Sequence, residues 1–413
     1  MSYSDQVPQS EWRRGWPVVF AASAGYGLSG GLFSITAGLF INPMRQEFGW
    51  TMSQVAIAPY VHLLIALMMP VGGIVINKVG PRPVALFGIL LFATGYIALA
   101  TLPLSLLLLY AIVGCLGIFG PSGNAGPYAR VVATWFQRHV GMALGVTTAG
   151  TSFAGLFVLP IVAAAIARWG WRGGYLTLAA LLTCFALPIL LLLLRERKQT
   201  EASQPTAPPA RSTSLVEALA NPHFWLLLLA IGLAAIPVGV YLTHLQPILQ
   251  NAGFSLETGA AFGSLFAFAV GVGRIGGGML VDRFWSFGVA AAAVGLGALG
   301  CLIVTAVTPA TTFALTALAI VLIGLAYGGE IDFGAYFTLK LFGIGSFDRI
   351  FGWVALIMGA AIAAGGIIGS TLFDMMNSYR FLGPITALCF ALSSGAFLIL
   401  GMVMRKTVAI PAH

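Results

Sequence analysis

Five ionisable side chains lie inside long apolar runs of this 413-residue chain: Arg274, Glu330, Asp332, His62 and His244. Ionisable groups in hydrocarbon cost several kcal/mol and mark pathways or partners. Arg274 stands in FAFAVGVGRIGGGM, where no counter-charge is near. It precedes Asp282 by eight residues, about 12 Å of helix. A guanidinium is a planar fork that grips a carboxylate through two hydrogen bonds. Arg274 therefore binds the carboxylate of an anionic substrate, or pairs structurally with Glu330 or Asp332. These two acids precede Lys340 by ten and eight residues, about 15 and 12 Å, a depth similar to that of Arg274. Two positions on a helix are about 200° apart, so only one acid faces a given cavity. Tyr327, Glu330 and Gly334 share a face. An acid beside Arg274 would take up a proton when substrate occupied the guanidinium, which would couple transport to protons. The other use is a gate network through Arg130 or Arg138.

His244, in YLTHLQP, follows Tyr241 by about one turn and is expected to line the outer half of a cavity. It either contacts substrate or is satisfied by a neighbouring helix backbone. His62 is read as a satisfied core residue. GIFGPSGNAGPYAR packs four glycines and two prolines into one span. Such a span bends and lets backbone line a cavity, with Asn124 and Tyr128 as its polar members, for substrate or for structure. Gly141, Gly145 and Ala149, and likewise Ala361, Gly365 and Gly369, form small-residue stripes expected at helix contacts.

The chain that positions these residues is 59% apolar and only 8% charged, with a mean hydropathy of +0.96. A soluble enzyme, a nucleic-acid-binding protein and a disordered chain are all excluded by so few charges. The four cysteines lie in apolar runs without disulfide or metal spacing. Twelve runs are long enough to cross a bilayer: 17–41, 54–76, 84–102, 105–129, 139–166, 173–194, 223–250, 258–281, 287–307, 311–337, 350–372 and 381–404. The expected fold is an all-α membrane protein of twelve transmembrane helices in two pseudo-symmetric six-helix bundles. Of the 20 Lys and Arg residues, fifteen fall on the side of the termini, four on the other, and Arg274 within a span. Positively charged loops stay inside, so both termini are expected in the cytoplasm. No cleavable signal is expected before the first span, because residues 1–16 are polar. Residues 195–221 form a Pro/Ser/Thr-rich cytoplasmic linker with one amphipathic piece, SLVEALA, between bundles at 1–194 and 222–413.

The halves repeat at an offset of about 204 residues. FGWTMSQVA (48–56) matches AGFSLETGA (252–260), and GGIVINKVGPR (72–82) matches GGMLVDRF (277–284). These segments resemble the loop 2–3 and loop 8–9 motifs of the major facilitator superfamily, with Lys78, Arg82, Asp282 and Arg283 at the cytoplasmic gate positions. Asn77 replaces the usual Asp, and Pro83 follows Arg82. The Gly-rich fourth span ending in Trp135-Phe136, then Arg138-x-x-Gly141, His244-Leu245-x-Pro247 and a lone Arg in span 8 resemble the monocarboxylate and oxalate:formate antiporter branch. The resemblance makes Arg274 the substrate anchor, the repeat suggests halves that alternate access by rocking, and position within the spans offers His244, Tyr327, Asn124 and Tyr128 as further substrate contacts. Relatives coupled to protons carry an Asp one turn before this Arg, where this chain has Val270. Spans 1 and 11 lack the second cation that relatives use. One cation suits one carboxylate, and Tyr26, Phe33, Phe119 and Tyr327 suit a small organic tail.

The expectation is thus a proton-coupled transporter of small monocarboxylates in a bacterial inner membrane, monomeric, with no cofactor or nucleic-acid partner. Its partners are a small organic anion, protons and the lipid bilayer. The alternatives are a carboxylate:carboxylate antiporter and, less well supported, a drug-efflux carrier. No P-loop, hydrolase cluster or output domain speaks for an ATP-driven pump, an intramembrane enzyme or a sensor.

Overall fold

A computed structural model describes residues 11–136, 139–197, 215–307, 313–343 and 346–408. Arg138 and linker residues 198–214 lie outside them. Hydrocarbon offers backbone amides no hydrogen-bond partner, so apolar runs of this length become helices. Span 1 comprises Glu11–Leu28 and Gly30–Phe48, span 2 is Ala58–Val79 and span 3 is Pro81–Thr101. Span 4 comprises Leu106–Phe119, a 3-10 turn at Gly120–Gly123, and Ala125–Ala133. One continuous run, Val140–Leu193, has 54 residues, about 80 Å of helix against a hydrocarbon core of about 30 Å. It turns back at Gly170, whose φ of 71° favours glycine, and so supplies spans 5 and 6. Among the described residues, eleven apolar helical runs therefore make twelve spans. The others are Pro222–Asn251, Leu256–Arg283, Ser286–Thr305, Phe313–Phe342, Phe347–Met376 and Leu382–Val408, which are spans 7 to 12. The amphipathic piece is a short helix, Leu215–Ala220.

Local chemistry sets several of these starts. Ser105, Asn221 and Ser255 accept amide hydrogens of Leu108, His223 and Thr258 and so cap spans 4, 7 and 8. Pro222 occupies the first turn of span 7, where its missing donor costs nothing.

Spans 8 and 10 approach most closely around Gly328. A Cβ there would meet the Val270 carbonyl and come within 2.8 Å of the Arg274 amide nitrogen. Gly328→Val is therefore expected to wedge span 10 away from Arg274, costing about 1–3 kcal/mol. A lowered thermal midpoint in detergent checks this. The stripe in span 11 also makes helix contacts, with Gly365 against Ile236 and Gly369 against His244 of span 7. The stripe in span 5 behaves otherwise. Gly141 and Gly145 face open space, and the close approach falls on Gly150, against Ser23 of span 1.

Among the described residues the halves meet mainly where span 1 packs on span 7, span 2 on span 11 and span 5 on span 8, with the short helix Met52–Val55 also against span 11. Their contacts reach from the end opposite the termini, the far end, to mid-membrane. Gly38 lies under the Thr243 carbonyl, Gly366 against Pro59, Gly359 against Ala66 and Gly271 against Ser152. The far end is closed.

Candidate functional site: a guanidinium between the two halves

Spans 1 and 4 break at the same place. Ser29 interrupts span 1, and its hydroxyl donates 2.7 Å to the Gly123 carbonyl in the 3-10 turn of span 4. Asn124 then caps the second half of span 4, its Oδ1 accepting the Ala125 amide at 2.8 Å. The break turns Tyr128 against Gly25 of span 1, with its ring 6.3 Å from that of Tyr26. Tyr128 is fully buried and its hydroxyl has no partner among the described residues. Asn124 thus caps the helix, and Tyr128 packs beside Tyr26.

Arg274 is half-buried on span 8 and reaches across to the other half, where its guanidinium donates 2.9 Å to the Thr148 carbonyl of span 5. Its Nε is buried without a partner. Among the described residues no carboxylate forms an ion pair with it. The structural pair considered for Arg274 is absent, and the fork retains donors for an incoming acceptor. The guanidinium interacts electrostatically with Tyr26 of span 1, Tyr327 of span 10 and Asp332. Tyr327 stacks on Phe266, with ring centroids 6.0 Å apart. The cation thus has aromatic residues of both halves among its electrostatic neighbours. Phe33 packs instead against Phe92 and Tyr96 within the first half, and Phe119 pairs with Phe87 and is half exposed.

The two acids of span 10 part company. Asp332 lies one turn beyond Gly328, on the face that packs against span 8, and is exposed. Glu330 points into the second half. It is 1% exposed, and neither carboxyl oxygen has a hydrogen-bond partner among the described residues. Ala326, one turn before it, meets Gly297 of span 9, and Gly334, one turn after, meets Val354 and Ile231 of spans 11 and 7. Rotation about the helix thus separates Glu330 from Arg274 despite similar depth. Tyr327 interacts with both.

His244 does not line a cavity. It is fully buried, with Nε2 2.9 Å from the Gly366 carbonyl and 3.3 Å from the Ser370 hydroxyl, and Nδ1 3.3 Å from the Tyr379 hydroxyl. Small residues of span 11 bring that backbone close enough to satisfy it. His62 is satisfied by Ser34 at 2.8 Å and the Ala58 carbonyl at 2.9 Å.

At the terminal end, Arg130 donates to Asn77, the residue standing where the motif has Asp. Arg130 thus engages span 2 rather than the acids of span 10. The Arg82 amide donates to Glu196 at 2.6 Å and its guanidinium to the Leu191 carbonyl at 3.0 Å. Lys78, Asp282 and Arg283 are exposed without a partner among the described residues. The motif residues do not bridge the halves, in keeping with a terminal side that is open while the far side is shut. Sequence reasoning missed Thr148, because a backbone acceptor carries no residue-type signal.

Twelve spans in two halves, with a guanidinium held between them, define a polytopic helical membrane transporter. The chain belongs to the Major Facilitator Superfamily, whose sequence pattern matches residues 22–345. It is 31% identical over 177 residues to monocarboxylate transporter 2 of Rattus norvegicus, covering 42% of this chain and 35% of that protein. Over 421 residues it is 27% identical to monocarboxylate transporter 11 of Homo sapiens, covering 96% and 84%. Monocarboxylate transporter 13 of Bos taurus is 27% identical over 289 residues, covering 68% and 64%. Among solved structures, a bacterial homologue of the human lysosomal transporter Spinster, inward-facing and unoccupied, superposes with a TM-score of 0.75 at 17% identity, covering 98% of this chain and 100% of that one.

Proposed function

We propose that this protein is a proton-coupled transporter of small organic monocarboxylates working by alternating access, with both termini in the cytoplasm of a bacterial inner membrane. The observation that carries the reading is Arg274, a membrane-embedded guanidinium that forms no ion pair among the described residues and is bound to the opposite half through one carbonyl. A substrate carboxylate completes its hydrogen bonds, and the rings of Tyr26 and Tyr327 accept a short apolar tail. One cation neutralises one carboxylate, whereas a dianion would leave a charge uncompensated in a low dielectric. The names of the monocarboxylate transporter relatives support the same substrate class.

In this reading the bundles 1–194 and 222–413 rock about Arg274, and Asp332 is its resting counter-charge until substrate arrives. Glu330 carries the proton, because an unpartnered carboxylate inside the bilayer is costly while the neutral acid is tolerated. Tyr327 transmits the state of the guanidinium to Glu330, one turn away. The fifteen-to-four distribution of Lys and Arg supports the orientation, and makes the open side the cytoplasmic one.

The test is uptake of labelled lactate, pyruvate, acetate, oxalate and an aromatic acid into proteoliposomes, with and without an inward proton gradient. Gradient-stimulated uptake of a monoacid, with oxalate excluded, is expected. Uptake that ignores the gradient but requires a carboxylate inside would mean exchange and remove the proton role of Glu330. No uptake of any acid would remove the anchor role of Arg274.

A further inference from the structure

On the far side, an acid outside the central site joins the two halves. Asp374, near the end of span 11, accepts the Met52 amide at 2.7 Å through Oδ1 and the Ser53 amide at 2.8 Å through Oδ2. Met52 and Ser53 open the short helix Met52–Val55 of the other half. A helix start leaves its first amides without intrahelical partners. In this helix Thr51 and Gln54 satisfy each other, with Gln54 N donating to the Thr51 hydroxyl at 3.3 Å and Thr51 N to the Gln54 side chain at 2.9 Å. The Val55 amide reaches the Thr51 carbonyl at 3.3 Å. The two amides left over are the ones Asp374 takes. Around this bond, Arg45 lies over the Phe373 ring at 5.1 Å, Asn42 donates to Gln250 at 2.7 Å, and the Tyr379 hydroxyl meets the Met52 sulfur at 3.6 Å. Each of these contacts joins one half to the other.

We propose that Asp374 is the latch of the far side: its carboxylate holds the halves together there, and its release is the step that opens the site to that side. Bonds to a charged acceptor are short, directional and stronger than neutral ones, so a small separation of the halves breaks both at once. Parted, the amides and the carboxylate are hydrated by water, which makes the latch reversible. His244, bonded to both Tyr379 and span 11, holds the latch segment against span 7. Asp374 is thus a positioning residue that touches no substrate, and the inference does not depend on which acid is carried.

The test measures distances between spin labels in the full-length chain in liposomes, without substrate, after replacing Cys115, Cys184, Cys301 and Cys389 with alanine. Labels at Leu102→Cys and Phe381→Cys report the far side, and labels at Val79→Cys and Phe284→Cys the terminal side. Asp374→Asn and Asp374→Ala are expected to raise the population with a long far-side distance about tenfold or more, while the terminal-side distance shortens. Glu47→Gln breaks a far-side cluster confined to one half, with Arg172 and Trp171, and should leave both distributions unchanged. An unchanged far-side distribution in folded Asp374 variants would overturn the latch. Failure of both variants to fold would make Asp374 a structural residue and overturn it equally.

Discussion

Arg274→Ala is expected to abolish carboxylate uptake in a protein that still folds. The side chain is half-buried, engages one backbone carbonyl and forms no ion pair among the described residues, so its removal strands no buried counter-charge. The Thr148 carbonyl it leaves faces the space between the halves, where water can take its place. The substrate, by contrast, loses its charged partner. Removing one member of a buried, hydrogen-bonded charge pair costs about 2–5 kcal/mol, or upward of about 30-fold in apparent affinity. Arg274→Lys keeps the charge but not the fork and should retain a fraction of the uptake. Initial rates in proteoliposomes, with thermal unfolding as the control for folding, decide the matter. Near-normal uptake by the alanine variant would end the anchor role.

The second large effect concerns Glu330. Glu330→Gln keeps the shape of the neutral acid and cannot release a proton. If one proton accompanies each monoacid, an inward gradient of one pH unit supports about tenfold accumulation, since a pH unit is worth 1.36 kcal/mol. The variant is expected to accumulate substrate about onefold yet to exchange labelled for unlabelled acid at a rate near that of the parent chain. Exchange never requires the empty carrier to reorient, so it never requires the proton to leave. The neutral variant also relieves the burial of an acid with no hydrogen-bond partner among the described residues, so its thermal midpoint should not fall. Protein-free liposomes correct for passive entry of the neutral acid. Equal loss of accumulation and exchange would assign Glu330 to a structural role. Asp332→Asn offers the contrast, because an acid that balances Arg274 should affect exchange and accumulation alike.

Much of this molecule was legible in one dimension. Hydropathy alone marks the twelve apolar runs, and the one difference in helical count reflects continuity at Gly170, where a single residue with positive φ turns the chain. The offset repeat indicated two halves. The eight residues from Arg274 to Asp282 put the guanidinium deep in span 8, which ends at Arg283. The glycine-rich segment GPSGNAG announced a break in span 4 that the structure places at Gly120–Gly123.

What the sequence by itself determined was residence in a membrane, the number and depth of the spans, and the presence of one guanidinium where charge is costly. These follow from apolar length and from position along a helix of fixed rise, which are local properties. The tertiary structure decided which way each side chain turns and what it meets. Glu330 and Asp332 are two residues apart, yet one is sealed inside the second half while the other faces span 8. His244 became a buried pin because Gly369 lets span 11 come against it and the Gly366 carbonyl bonds its ring. Asp374 found its two amides 322 and 321 positions away. A helix advances about 100° per residue, so an error of a residue in phase redirects a side chain from cavity to core. Partners on distant spans are chosen by packing, and packing leaves no periodic trace in the sequence.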